Sequence, residues 1–184
     1  LRPQATTMVA VAAAMRKVDS TSLLNRLGVV LGVVAGLLGW TGCGPEPIFA
    51  ESRPIETEAG WSASDVKTFR FDITDTLSKH EFFIDLRHDQ TYPFSNLYLF
   101  VDFDFPNGRQ RRDTVLCELA DARGAWLGTG SGPVVDHRIG FLSATAFPLS
   151  GAYEISVAHA MRRDPLPGVL DVGFRLERSP GKQD

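Results

Sequence analysis

The run "LYLFVDFDF", residues 97–105, constrains the fold of this chain more than any other stretch. Its odd positions, Leu97, Leu99, Val101, Phe103 and Phe105, are all apolar, while Tyr98, Phe100, Asp102 and Asp104 alternate with them. Successive side chains point to opposite faces only in an extended chain, so period two defines a half-buried strand and excludes a helix with one apolar stripe. The same alternation runs through "FRFDI" (Phe69, Phe71, Ile73), "EFFIDLR" (Phe82, Ile84, Leu86), "AYEISVA" (Tyr153, Ile155, Val157) and "LDVGFRLE" (Leu170, Val172, Phe174, Leu176). No long helical period competes with it.

Turn residues separate these runs. "PNG", Pro106 to Gly108, predicts a β-hairpin between the Leu97 strand and "QRRDTVLCEL". "PLSG", Pro148 to Gly151, predicts a second hairpin between "FLSATAF" and "AYEISVA", and "DPLPG", Asp164 to Gly168, introduces the last strand. About seven to eight strands, most with one apolar and one polar face, predict an all-β antiparallel β-sandwich over residues 60–178, followed by a polar tail at 179–184.

The N-terminus is written differently. Arg16, Lys17 and Arg26 precede the uncharged "LGVVLGVVAGLL", and small Thr41 and Gly42 stand just before Cys43. Positive, apolar and small regions in that order predict a signal peptide over residues 1–42. As a helix, Leu27 to Gly42 would reach only about 24 Å, short of the roughly 30 Å hydrocarbon core of a bilayer. "WTGC" resembles a bacterial lipobox, with Trp40 where leucine is usual, so Cys43 is predicted to be lipidated and to anchor the chain to a membrane. The proline-containing segment 43–59 then reads as an extended tether, and residues 1–14 as the product of a misplaced start, with Met15 the true first residue. With Cys43 acylated, Cys117 is left without a disulfide partner and reads as a small hydrophobe on a strand.

Composition and motif spacing exclude several classes. The net charge is -3 and neither sign forms a long block, so no nucleic-acid footprint is expected. The basic cluster "GRQRR", Gly108 to Arg112, reads as a solvated loop. In "GAWLGTGSG", Gly128 and Gly130 lead into Pro133 rather than a helix, and two residues before Ser131 stands Thr129 rather than the glycine a nucleophile elbow requires. This segment is expected to be a tight loop whose Trp126 and Leu127 plug one end of the sandwich. His80, His88, His137 and His159 lie at spacings that match no metal motif, and His88 in "RHDQTYP" reads as a polar residue at a strand end. Asp102 and Asp104 share a strand face as a catalytic pair would, but an outward-facing position accounts for them equally. In "HAMRRD", Arg162 reads as an anchor pairing with a carboxylate or backbone carbonyls, or as a partner contact. No enzyme, cofactor, metal or small-molecule substrate is predicted.

Together, "YPFSNLYLFV", "FPNG", "DT", "GAWLGTG", "FPLSGAYEISVAHAMR" and "DVGFRLE" resemble the gliding-motility lipoprotein GldH family of Bacteroidota, in the same order from about Gly60 to Glu177. The resemblance implies a cell-envelope lipoprotein that supports gliding and the type IX secretion machinery through protein–protein contacts, and it implies no catalytic residues. Tyr92, Pro93, Asn96, Trp126, Gly128, Met161 and Arg162 match the family's pattern as fold or partner contacts. The expected location is the outer membrane, facing the periplasm. An alternative from another class is a carbohydrate-binding module or glycan-processing accessory lipoprotein, with Tyr98 and Phe100 as stacking platforms and Asp102 and Asp104 accepting hydroxyl bonds.

Overall fold

The computed structural model describes residues 46–56, 58–130 and 132–180; Cys43, the segment expected to be a signal peptide and the end of the expected polar tail lie outside them. Among the described residues, eight antiparallel strands form two sheets. The first contains β1 (Phe49–Pro54), β8 (Val169–Arg178), β3 (Lys79–Asp89) and β6 (Val134–Ala146), in that spatial order. The second runs β2 (Lys67–Ile73), β7 (Gly151–His159), β4 (Asn96–Asp104) and β5 (Gln110–Glu118).

The period-two runs fold as their pattern requires, except that a register shift between β3 and β8 buries Val169 rather than Leu170. Leu97, Leu99, Val101 and Phe103 of β4 are buried, as are Phe69, Phe71 and Ile73 of β2, Phe82, Ile84 and Leu86 of β3, and Val172, Phe174 and Leu176 of β8. Their rings interleave between the sheets. Phe174 is fully buried, stacks on Phe71 with centroids 5.6 Å apart, and meets Phe49, Phe69 and Phe82 at 6.1 Å each. Cys117 is buried on the inner face of β5, the role its sequence context gave it.

Two expectations about the chain path are corrected. Residues 49–54 are not tether but edge strand β1, in register with β8 from Phe49 opposite Leu176 to Pro54 opposite Asp171. The ladder is extended at both ends, where Ile48 N–H donates to Leu176 O and Ile55 N–H to Leu170 O, each at 2.8 Å. "FAESRP" carries no apolar alternation because an edge strand is held chiefly by its backbone bonds. Phe49 alone plugs into the core, 5.2 Å from the Phe71 ring.

The second correction concerns "PLSG". Its flanking strands do not pair: β6 binds β3, whereas β7 binds β2 and β4, so Pro148 to Ser150 carry the chain from one sheet to the other. "PNG" does close a hairpin between β4 and β5, with Phe105 N–H donating to Arg109 O and Gly108 N–H to Phe105 O at 2.9 Å. The cluster "GRQRR" is correspondingly half turn and half strand. Arg111 and Arg112 lie in β5, where they pair with Asp113 and Asp102.

Removing the ring on which both sheets converge should cost most. Phe174→Ala is expected to lower unfolding free energy by about 4 kcal/mol, measured by urea denaturation, whereas Ser52→Ala on the exposed side of β1 should change it by less than about 0.5 kcal/mol.

Candidate functional site

Loops β3–β4, β5–β6 and β7–β8 meet at one end of the sandwich, and four of the residues singled out in the sequence gather there. Tyr92 is buried, and its hydroxyl donates to the carbonyl of Asn96 at 2.6 Å, which ties the β3–β4 loop to the first residue of β4. Trp126 stands edge-on to the His88 ring with centroids 4.5 Å apart, while its indole N–H donates to Gln90 Oε1 at 3.2 Å. Trp126 therefore plugs the end, but Leu127 does not. Leu127 is 57% exposed.

Gly128 sits where no side chain fits. A Cβ there would lie 2.5 Å from Asp136 O, 2.7 Å from Val135 Cγ1 and 2.9 Å from His137 Cε1, so the glycine lets the β5–β6 loop lie flat on β6. Adjacent Thr129 exchanges both backbone bonds with Asp136, at 2.8 and 2.7 Å.

Under this lid lies a feature that sequence reading missed. All four histidines are buried, against the expectation that His88 would be a polar strand end. His88 and His137, 49 residues apart, lie on neighbouring strands with their Nε2 atoms 3.1 Å apart. His88 Nδ1–H donates to its neighbour's carbonyl, Asp89 O, at 2.9 Å, which leaves His88 Nε2 to accept from His137 Nε2–H. Tyr92 closes the other side of the His88 ring at 5.2 Å. The signal was available in principle, because both imidazoles occupy inward positions of their strands, but the pattern counted them as polar.

Burial first, and then the neighbouring imidazole, hold the His137 pKa down to about 4 despite the opposing pull of Asp136. Burial also pushes the Cys117 thiol up to about 12 and raises the Tyr92 hydroxyl above its ordinary range. Neither the thiol nor the phenol is a nucleophile near neutral pH. Among the described residues no group of three or more His, Cys, Asp or Glu side chains is placed to hold a metal ion.

A second cluster borders the first. His159 Nε2–H donates to Trp61 O at 3.0 Å, and the two rings meet edge to face at 5.2 Å. Met161 packs against the core and its sulfur accepts the Tyr98 N–H at 3.4 Å, so it covers the start of β4. Arg162 is exposed and joins neither cluster. Among the described residues no carboxylate lies within ion-pair distance of it, so of the readings given for it the carboxylate pairing is not formed.

The platform required by the glycan reading is already engaged. The Arg112 guanidinium lies 5.0 Å over the Phe100 ring and holds both Asp102 carboxylate oxygens, at 2.6 and 2.8 Å. Asp104 accepts from the Gln110 amide. Of the four residues named for that role, only Tyr98 presents a substantially open ring.

This geometry defines an all-β sandwich domain whose loops form a packed cap over buried imidazoles instead of an open reactive cleft. A family model described as GldH lipoprotein matches residues 48–176, nearly the whole sandwich, and the chain belongs to that family. The gliding motility lipoprotein GldH homolog of Christiangramia forsetii is 30% identical over 76% of this chain and 89% of its own length. Gliding motility lipoprotein GldH of Flavobacterium johnsoniae is 28% identical over 74% and 87%. The family is one of gliding-motility lipoproteins and not a known family of enzymes. Among solved structures, 75% of this chain aligns with 18% of a family GH115 4-O-methyl-α-glucuronidase at 12% identity and a TM-score of 0.42, too distant to bear on function.

Two outcomes are expected of the cap. Gly128→Ala should cost about 2 kcal/mol through overpacking and release Trp126, read as a lower urea midpoint with red-shifted tryptophan emission. For pH, the unfolded His137 ring takes up its proton near 6.5 whereas the folded one resists until about 4. The stabilisation is therefore complete above pH 6.5 and is lost as pH falls from 6.5 to 4, by up to about 3 kcal/mol. Burial lowers the His80 pKa as well, which adds with the same sign. Urea midpoints between pH 7.5 and 4 should show the decline, and His137→Leu should flatten it.

Proposed function

We propose that this chain is a lipid-anchored accessory protein of the cell envelope that supports gliding motility and type IX secretion by binding other envelope proteins. The observation that carries the proposal is the family match across nearly the whole sandwich, together with two relatives named for gliding motility. Cys43 is the proposed site of acylation, and the outer membrane's periplasmic face the proposed location.

The fold supports an anchored arrangement. Because β1 begins at Phe49, only residues 44–48 separate the sandwich from Cys43, and those six peptide steps reach no more than about 20 Å. Such a tether holds the domain against the membrane. More than one acyl chain on Cys43 makes that attachment stable, since a single chain binds only reversibly. The outer face of the first sheet carries alternating charges, with Arg138 on Asp85, Arg175 on Asp85, and Arg87 on Asp136. The exposed pairs among these add little stability but keep the face solvated.

The test is Cys43→Ala in the native host. The wild-type protein should yield an N-terminal peptide beginning at acylated Cys43 and should fractionate with membranes. The variant should lose both properties and fail to restore gliding to a deletion strain. A Cys43→Ala protein that stays membrane-bound and restores gliding would overturn the proposal.

A further inference from the structure

The end of the sandwich opposite the cap is open. A cleft of about 460 Å³ lies there between the two sheets, within the size range of small-ligand sites. Its accessible walls are the half-buried Phe105 and Leu142, behind which lie the edges of the buried rings of Phe82, Phe103, Phe147 and Tyr153. The Tyr153 hydroxyl is turned to the Leu149 carbonyl, 2.9 Å away, so that residue adds an apolar ring rather than a polar group. Beside the cleft the two turns meet. Gly151, at φ +129°, lies so close to Pro106 that a Cβ would approach the proline ring to 3.0 Å.

The mouth has the opposite character. Asn107, Arg109, Gln110 and Arg111 line it. Gln110 is bonded to Asp104, and Arg111 pairs with Asp113 while lying 4.4 Å over the Phe103 ring. Arg109 differs from these. It is exposed, and among the described residues its guanidinium has no carboxylate partner. An apolar interior beneath an unmatched cation selects an apolar chain that ends in an anion.

The path of the chain places this mouth. β1 enters at Phe49 opposite Leu176, and Leu176 is opposite Phe82 in β3, so the cleft opens at the end of the sandwich where the chain arrives from Cys43. We infer that the cleft binds a long-chain acyl group with an anionic head, its chain among the phenylalanine rings and its carboxylate or phosphate on Arg109. The cleft itself is argued without the lipid anchor; only the membrane as a source of ligand rests on the anchored reading above.

The experiment uses the full-length protein in its native membranes with three photoreactive probes carrying the same alkyl chain: a fatty acid, a phosphatidylglycerol and an uncharged alcohol. Adducts from the anionic probes are expected in peptides covering residues 103–111 and 141–153, at about five times the yield from the alcohol, the factor a partly exposed ion pair of about 1 kcal/mol supplies. Labelling by the acid alone identifies a free ligand, and labelling by the phospholipid identifies the bilayer. Leu142→Trp, which fills the cleft, should abolish the adducts. Arg109→Glu, on an exposed turn where folding is not at risk, should reduce anionic labelling to that of the alcohol. Adducts scattered over the whole domain, or anionic labelling unchanged in Arg109→Glu, would overturn the inference. Because the domain is labelled in membranes whatever holds it there, a negative result is distinguishable from failure of the anchor, which fractionation of Cys43→Ala reports separately.

Discussion

The interlocking of phenylalanine rings between the sheets is the interaction on which everything else rests. Phe174 reaches across from β8 to Phe69 and Phe71 of β2, and Phe82 of β3 meets Phe103 of β4 at 6.2 Å. Ring pairs at these separations add directional attraction to a large buried area and fix how the two sheets face each other. Once the middle is fixed, the ends are free to differ. One is filled by Tyr92, Trp126 and two imidazoles, and the other is left partly empty among aromatic walls.

The two sides of the sandwich also differ. On one side β1 and β2 approach each other and Phe49 closes the gap onto Phe71. On the other, β5 and β6 are the outer strands of their sheets. Free edges of that length invite pairing with another chain unless something obstructs it. Here Arg111 and Asp113 occupy inward positions at the start of β5, opposite Phe103 and Val101 of β4. An intruding strand would have to bury that pair. The charges that border the cleft thus also guard the edge beside it.

How much could be read from the sequence depended on whether burial leaves a mark on composition. β2, β3, β4, β7 and β8 were legible because each sets large apolar residues at every second position against polar ones. β1 was not legible, since an edge strand draws its stability from backbone bonds that any residue supplies. The early part of β6 was hidden because His137 occupies an inward position and interrupts the apolar count of Val135 and Ile139. "PLSG" misled for another reason: the chemistry of a tight turn is the same whether the chain returns to its own sheet or crosses to the other. At the cap, Tyr92, Trp126 and Gly128 could be singled out individually. Their assembly around His88 and His137 depends on strand pairing across 49 residues, which no local pattern encodes.

The position of β1 determines how the domain carries mechanical load. A pull transmitted through residues 44–48 enters β1 at Phe49 and runs along the strand toward Pro54, antiparallel to β8. If the resisting partner grips the capped end, all six register pairs from Phe49–Leu176 to Pro54–Asp171 share the force in shear. If it grips the open end, the same ladder is peeled from Phe49 one pair at a time. An identical set of hydrogen bonds therefore behaves as a clamp in one direction of pull and as a release in the other.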